Sequence, residues 1–524
     1  MSNASAAPFK ITYSSANADL TQFHKDFDAA LALVRSKTGK LHPLWIDYKA
    51  VTSPSEPLPD YSPIDGSLLN NFAAAAPEHV DLACRSAKKA QKAWGALPWQ
   101  ERIKIMRKAA ALIRERKYEI GAVMSLEVGK SRMEAMGDTE ESADLIEYYA
   151  KNIEDNNGYI VPLGKLSPNE NTRSVLRPFG VFVCIAPFNF PMALSTGMSA
   201  AALLTGNTVV YKPAQDTPWT GLMLYEAYRD AGVPVGAFHF ITGKGSVIGD
   251  TFWKHPCVDG IVFTGSKEIG MKMVKEFSVN WPKPALMELG GKNPTYVSET
   301  ADLDMAAEGV MKSAFGLQGQ KCSACSRVYV HEKVYDAYVA KLVEKTKAIK
   351  CGDPTEKDVF FGPVINARSA KTFEDAIISA KKGGKVLTGG ERMKGGIYDK
   401  GHFCDPTIVE LPLDHEIFMR ELFVPILAIG KVKDLDQAIA EGNRAEYGLT
   451  AGIFTAKKDE IQKFFDEIES GVCYANRRTG ATTGAWPGVQ SFTGWKGSGS
   501  TGKGGCGPYY VTQFMREQSR TIME

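Results

Sequence analysis

Along the first third of the chain, hydrophobic positions recur at helical spacing. Phe23, Phe27, Leu31 and Val34 predict an amphipathic helix over about 19–34. Pro54, Pro57, Pro59 and Pro63 predict an irregular connection after it. From 78 to 152 the helical period returns. Ile103, Met106, Ala110 and Ile113 make one apolar stripe there, and the acidic stretch 138–149 continues the helical array. This region reads as packing rather than chemistry.

Near Tyr159 the texture changes to β-branched runs. IVPLG (160–164) and the stretch 172–194 predict strands, followed by a small-residue helix over 195–205. NTVVYKP (207–213), FHFITG (238–243) and DGIVFTGS (259–266) are further strands, with helices over 217–231, from 246, and after 266. Strands alternating with helices predict a doubly wound parallel sheet, which binds ligands at the carboxyl ends of its strands. PALMELGGKNPTYV (284–297), a helix over 302–315, KVLTGG (385–390) and a helix over 434–443 predict a second α/β domain facing the first across a cleft. The tail from 480 is rich in glycine, threonine and aromatics and includes the strand-like YYVTQFM (509–515). It suits either a segment reaching onto a neighbour or a surface hairpin.

Composition narrows the class. The 524 residues, 44% hydrophobic and 23% charged, suit a globular protein of two or three domains with a sizeable core. Lys+Arg 62 against Asp+Glu 60 leaves +2, which gives no reason to expect nucleic acid or an anionic membrane as partner. The start MSNASAAPFK lacks a secretory signal pattern, and no apolar run approaches a membrane span. Nine cysteines without a repeated spacing fit free thiols in a reducing compartment, so the cytoplasm is expected.

Two of those cysteines, Cys322 and Cys325, sit just before an apolar run in LQGQKCSACSRVYV (317–330), where one could be held at the mouth of a pocket as a nucleophile. A structural zinc would need two more ligands, and no second pair or His cluster accompanies them, so no metal is expected. GKGSVIGD (243–250) matches neither a P-loop nor Gly-x-Gly-x-x-Gly. It is either a turn or a helix N-terminus offering N–H groups to a phosphate.

APFNFP (186–191), NTVVYKPA (207–214), FTGS (263–266), MELGGKNP (287–294), GQKC (319–322) and ELFVP (421–425), in that order and spacing, resemble the aldehyde dehydrogenase superfamily over nearly the whole chain. The resemblance implies an NAD(P)-dependent oxidation of an aldehyde to an acid through a cysteine thiohemiacetal and a thioester. Cys322 would be the nucleophile, with Cys325 a buried neighbour. Asn189, with the backbone N–H of Cys322, would receive the oxyanion, and Glu288 would be the general base. The presence of Glu288 implies hydrolysis to a free acid. NAD would be held by Ile185, Lys212, Gln215, Gly245, Gly265, Ser266, Leu289, Glu421 and Phe423. Gln215 stands where relatives that prefer NAD often carry Glu, which admits NADP as well. Val424 replaces the family's usual Gly in ELFVP.

KCSACSR (321–327) is most like the branch that oxidises L-glutamate γ-semialdehyde, the open form of 1-pyrroline-5-carboxylate. In that branch Ser323, Gly480 and Ala481 would bind the α-carboxylate, and Phe188 would line the substrate site. The alternatives are another carboxylated or aromatic aldehyde, or a catalytically silent cofactor-binding relative. The tail departs from the family in TTGAWPGVQSFTGWKGSG (482–499), where Trp486 and Trp495 could reshape the pocket or pack at a subunit contact. On this reading, 1–156 and 174–288 form the dinucleotide-binding domain and 289–478 the catalytic domain. Residues 157–173 and 479–524 form a small β oligomerisation segment, and a homodimer or higher homo-oligomer is expected.

Overall fold

The computed structural model describes residues 20–478 and 486–524. Its opening helix, Thr21–Arg35, buries Phe23, Phe27, Leu31 and Val34 on one stripe. Four helices follow from Pro77 to Asp155 with Ile103, Met106, Ala110 and Ile113 in the core, so the helical period of this region decides its packing.

A seven-stranded sheet forms the first half. Its central strands, Val181–Ile185, Thr208–Lys212 and Gly260–Thr264, are buried at every residue, as a parallel sheet covered by helices on both faces requires. From Val181–Ile185 the chain adds Thr208–Lys212 and Phe238–Phe240 on one side. It then crosses back to add Gly260–Thr264 and Ala285–Glu288 on the other. The order therefore reverses between Val181–Ile185 and Gly260–Thr264, and a crevice opens at their carboxyl ends.

A second seven-stranded sheet has Asn293–Val297 and Cys325–His331 at its centre. All its pairings are parallel except that of the edge strand Lys385–Thr388. Only four residues separate Glu288 at the carboxyl end of the first sheet from Asn293 at the amino end of the second. The short link Leu289–Lys292 thus fixes how the two sheets face each other.

Two sequence expectations need correction. The proline-rich stretch contains a strand, Leu58–Tyr61, paired antiparallel to Leu68–Phe72. It lies at the edge of a three-stranded sheet, where a proline's missing donor leaves no ladder bond unmade. YYVTQFM is not a strand: Val511–Phe514 is a 3₁₀ turn that buries Tyr510, Val511 and Phe514, and the strand runs from Met515 to Met523. That strand pairs with Glu170–Pro178 over all nine residues, and Ile160–Pro162 completes a largely exposed three-stranded sheet. Of the preceding segment, Phe492, Gly505, Cys506 and Tyr510 line a cavity between the two seven-stranded sheets.

Among the described residues no helix is long and apolar enough to cross a membrane.

Candidate active site

A cavity of about 900 Å³, counting its open mouth, lies between the two sheets and is lined by Cys322, Ser323, Glu288 and Leu289. Each arrives from a different local cause. Leu317, Gln318 and Gly319 all take left-handed backbone angles, a costly run for the two non-glycine residues, and turn the chain sharply before Cys322. The loop is then pinned. Asn293 Nδ2 donates to the carbonyls of Cys322 at 2.7 Å and Ala324 at 2.8 Å, while its Oδ1 accepts from Thr450 N at 3.0 Å. Gly291 must be glycine, because a Cβ there would lie 2.3 Å from the Cys322 carbonyl oxygen.

The other side of the cavity carries Phe190, whose neighbour Asn189 is buried. Phe190 lies under the Lys130 ammonium at 3.8 Å, and Lys321 stands 5.8 Å from its ring. Lys130 is paired with Asp138 at 2.7 Å, and Asp138 accepts from Ala193 N at 2.6 Å, at the first turn of the helix Ala193–Leu204. Lys321 is paired with Glu134 at 2.7 Å. Two buried ion pairs from the helix Arg132–Asp155 thus hold both the Asn189 turn and the Cys322 loop.

That helix also corrects the expectation that its region only packs. Glu141, Leu145 and Tyr149 line the cavity. The sequence held a signal: Glu134, Asp138, Glu141, Leu145 and Tyr149 fall on one helical stripe, where carboxylates interrupt an otherwise apolar face. The tail contributes Phe492, Gly505, Cys506 and Tyr510 to the wall, and nothing local in the sequence marks them. Neither tryptophan of the extended tail lines the cavity. Trp486 donates to Asp144 at 2.7 Å, and Trp495 is exposed on the short strand Trp495–Lys496. Gly480 and Ala481 lie outside the described residues.

Burial dominates the electrostatics. Glu288 is pushed up to about 8 by desolvation, and its Oε2 has no hydrogen-bond partner among the described residues. The Cys322 thiol is pushed up to about 12, first by burial and then by Glu288 and Glu421; the backbone N–H groups of Ser323 and Cys322 pull the other way. Cys325 is fully buried behind the loop, its sulfur 3.2 Å from Thr295 Oγ1.

The crevice at the first sheet's switch point has groups that fit a dinucleotide. Ile185 ends its strand, and Gly265 and Ser266 lead from Gly260–Thr264 into the helix Lys267–Phe277, whose N-terminus has no side-chain cap. Its first N–H groups are thus available to a phosphate. A Cβ on Gly265 would meet the Phe263 ring at 2.4 Å. Lys212 is buried, donates to the Pro213 carbonyl at 3.1 Å, and is lowered to about 8 by burial. Exposed Gln215 shares a groove with Lys244, which stands immediately before Gly245 at the head of the helix Gly245–Lys254.

On the catalytic side, Glu421 Oε1 accepts from Gly291 N at 2.9 Å, and burial raises its carboxyl to about 7. Phe423 takes a left-handed angle that turns its ring edge-on to Phe188 at 5.8 Å. Val424 is buried, and its carbonyl would be 2.7 Å from a Cβ on Gly319, so this segment packs directly on the nucleophile loop. Bound here, NAD(P) would be held by these residues and would supply the hydride acceptor.

The aldehyde dehydrogenase family model matches residues 50–519. A 1-pyrroline-5-carboxylate dehydrogenase of Halalkalibacterium halodurans is 38% identical over 508 residues, covering 95% of this chain and 96% of that protein. One of Geobacillus is 37% identical over 508 residues, with the same coverage. Among solved structures, 1-pyrroline-5-carboxylate dehydrogenase from Thermus with bound NAD superposes with a TM-score of 0.93 at 34% identity, covering 99% of this chain and all of that one (100%). An NADP-dependent glyceraldehyde-3-phosphate dehydrogenase from Bacillus halodurans, complexed with NADP, gives 0.85 at 33% identity over 92% of this chain and 99% of its own. Their agreement along nearly the whole length, joined to the facing thiol and carboxyl between two doubly wound sheets, means that the chain belongs to the aldehyde dehydrogenase family and is an NAD(P)-dependent enzyme of aldehyde oxidation.

Proposed function

We propose that the enzyme oxidises L-glutamate γ-semialdehyde to L-glutamate. The observation that carries this is the cavity wall, where Glu141, Lys321 and Ser323 interrupt an apolar lining beside Cys322. Charged groups of both signs suit an aldehyde that also bears an ammonium and a carboxylate. The three 1-pyrroline-5-carboxylate dehydrogenases named above support the reading, since their names specify that substrate in its cyclised form.

In this reading Cys322 Sγ adds to the aldehyde carbon as its thiol proton passes to water at the cavity mouth. The Asn189 amide and the Cys322 N–H receive the oxyanion, a donor pair each member of which is typically worth about 3 kcal/mol of the barrier. After oxidation the acyl group remains on Cys322 as a thioester. Glu288 takes a proton from water as the water attacks, and the acid leaves as the thiolate returns. Ser323, with Gly480 and Ala481, would bind the α-carboxylate.

The test is an aldehyde panel with NAD and NADP side by side. Glutamate semialdehyde should exceed an unsubstituted aliphatic aldehyde of equal length in kcat/KM by at least about tenfold, because an anchored carboxylate contributes a charge-assisted hydrogen bond. Ser323→Ala should narrow that gap mainly through KM. Equal kcat/KM for both aldehydes would overturn the substrate assignment.

We also read the chain as a homo-oligomer assembled through the sheet of Ile160–Pro162, Glu170–Pro178 and Met515–Met523. Its faces leave Val161, Ile522 and Met523 exposed, an open edge that a second copy would cover. Removing 515–524 should convert the native oligomer to a smaller species by light scattering; an unchanged mass would remove this sheet from the interface. The nine cysteines are all free, which supports a cytoplasmic address.

A further inference from the structure

Lys292 lies in the link between the two sheets, buried, with its ammonium nitrogen lacking a hydrogen-bond partner among the described residues. An unpaired buried ammonium is costly, and such a group persists only where something nearby answers its charge. The small cavity beside it is lined by Glu421, Phe423, Cys325 and Ser326, and Ser326 Oγ is a second buried atom without a partner there. Burial and then the Arg327 guanidinium lower Lys292 to about 7, and Glu421, which lines the same cavity, is the carboxylate that favours its charged form. Its Oε1 is already fixed by Gly291 N at 2.9 Å. A Cβ on Gly290 would lie 2.1 Å from Oε2, so the carboxylate lies flat against this glycine pair.

The backbone of Lys292 is equally well fixed, since its carbonyl accepts from Arg327 Nε at 2.7 Å. Arg327 is itself buried and donates to the carbonyls of Glu441 and Gly442. The side chain is therefore aimed by a rigid frame.

We infer that Lys292 is a positioning residue for Glu421, holding its carboxylate across the cavity in the orientation that grips the nicotinamide ribose of the bound cofactor. The inference rests on the assignment of Glu421 to that ribose. It separates the two halves of the cofactor, because Lys292 acts on the nicotinamide half, while the adenosine half is held at the far crevice by Lys212, Gln215 and the helix at Ser266.

The experiment is a pair of equilibrium titrations on the full-length protein, NADH by its fluorescence and 5′-AMP by calorimetry. Lys292→Met should weaken NADH by about tenfold and leave 5′-AMP within about twofold, since a structural lesion would move both together. In a Glu421→Gln background, Lys292→Met should add nothing further. Loss of 5′-AMP binding in parallel with NADH, or additive effects of the two substitutions, would overturn the inference. Should Glu421→Gln alone leave NADH affinity unchanged, the cofactor assignment of Glu421 fails and the role of Lys292 with it. A weakened Glu421→Gln beside an unaffected Lys292→Met would remove only the Lys292 role. If Lys292→Met does not accumulate as folded protein, Lys292→Gln replaces it in the same titrations.

Discussion

Replacing Cys322 with alanine is expected to abolish aldehyde oxidation, lowering kcat on the order of 10⁴–10⁶-fold, the range seen when a nucleophile is removed from a working constellation. NADH affinity should remain within about twofold of the parent. The substitution deletes one sulfur from a loop whose conformation is fixed elsewhere, by Asn293 on its carbonyls and by the Lys321–Glu134 ion pair. Cys325 cannot take over, because it sits buried behind the loop against Thr295. Single-turnover kinetics with NADH titration separate the two quantities. Turnover persisting in Cys322→Ala would move the nucleophile elsewhere.

Glu288→Gln is expected to separate the two half-reactions. Removing a general base costs on the order of 10²–10⁴ in the step it serves. Steady-state turnover should fall by that amount, while a stoichiometric burst of NADH persists, because water at the cavity mouth can take the thiol proton but only a base can activate the hydrolytic water efficiently. A missing burst would contradict this division of labour.

The pH dependence follows from the same carboxyl. Burial raises Glu288 to about 8, so its basic form is scarce below that pH and abundant above it. Thioester hydrolysis in the parent enzyme should therefore rise as pH increases through about 8. Glu288→Gln should lose that limb, since an amide does not titrate in this range.

The alternation of strands and helices, and Cys322 and Glu288 as candidates, were legible because each rests on a local pattern. A β-branched run between glycines makes a buried strand wherever it stands, and a Cys or Glu held in a fixed motif is marked by its immediate neighbours. The pocket wall was not local. Glu141 and Tyr149 come from a helix that reads as packing until it is seen against the Ala193–Leu204 helix, and Phe492, Gly505 and Cys506 come from a tail whose pattern suggested a segment reaching onto a neighbour or a surface hairpin. The stripe of carboxylates at Glu134, Asp138 and Glu141 was the one available clue, since charges on an inward face must be paired or functional.

YYVTQFM shows the opposite failure. Its aromatic and β-branched residues suit a strand, but Tyr510, Val511 and Phe514 are drawn into the core around a 3₁₀ turn, and pairing begins only at Met515. Residue types that favour strands do not distinguish a strand from a short turn that buries the same residues, so tertiary packing decided it.

By itself, then, the sequence indicated a doubly wound parallel sheet with a second α/β domain, the family, and the candidates for nucleophile and base, because periodicity and motif chemistry act over a few residues. Only the tertiary structure decided what faces what: which helix supplies the charged wall, that the tail lines the cavity, and that Lys292 and Glu421 line one smaller cavity. Those relations join residues up to hundreds of positions apart, and the physical forces that set them, burial and the pairing of desolvated charge, act through space rather than along the chain.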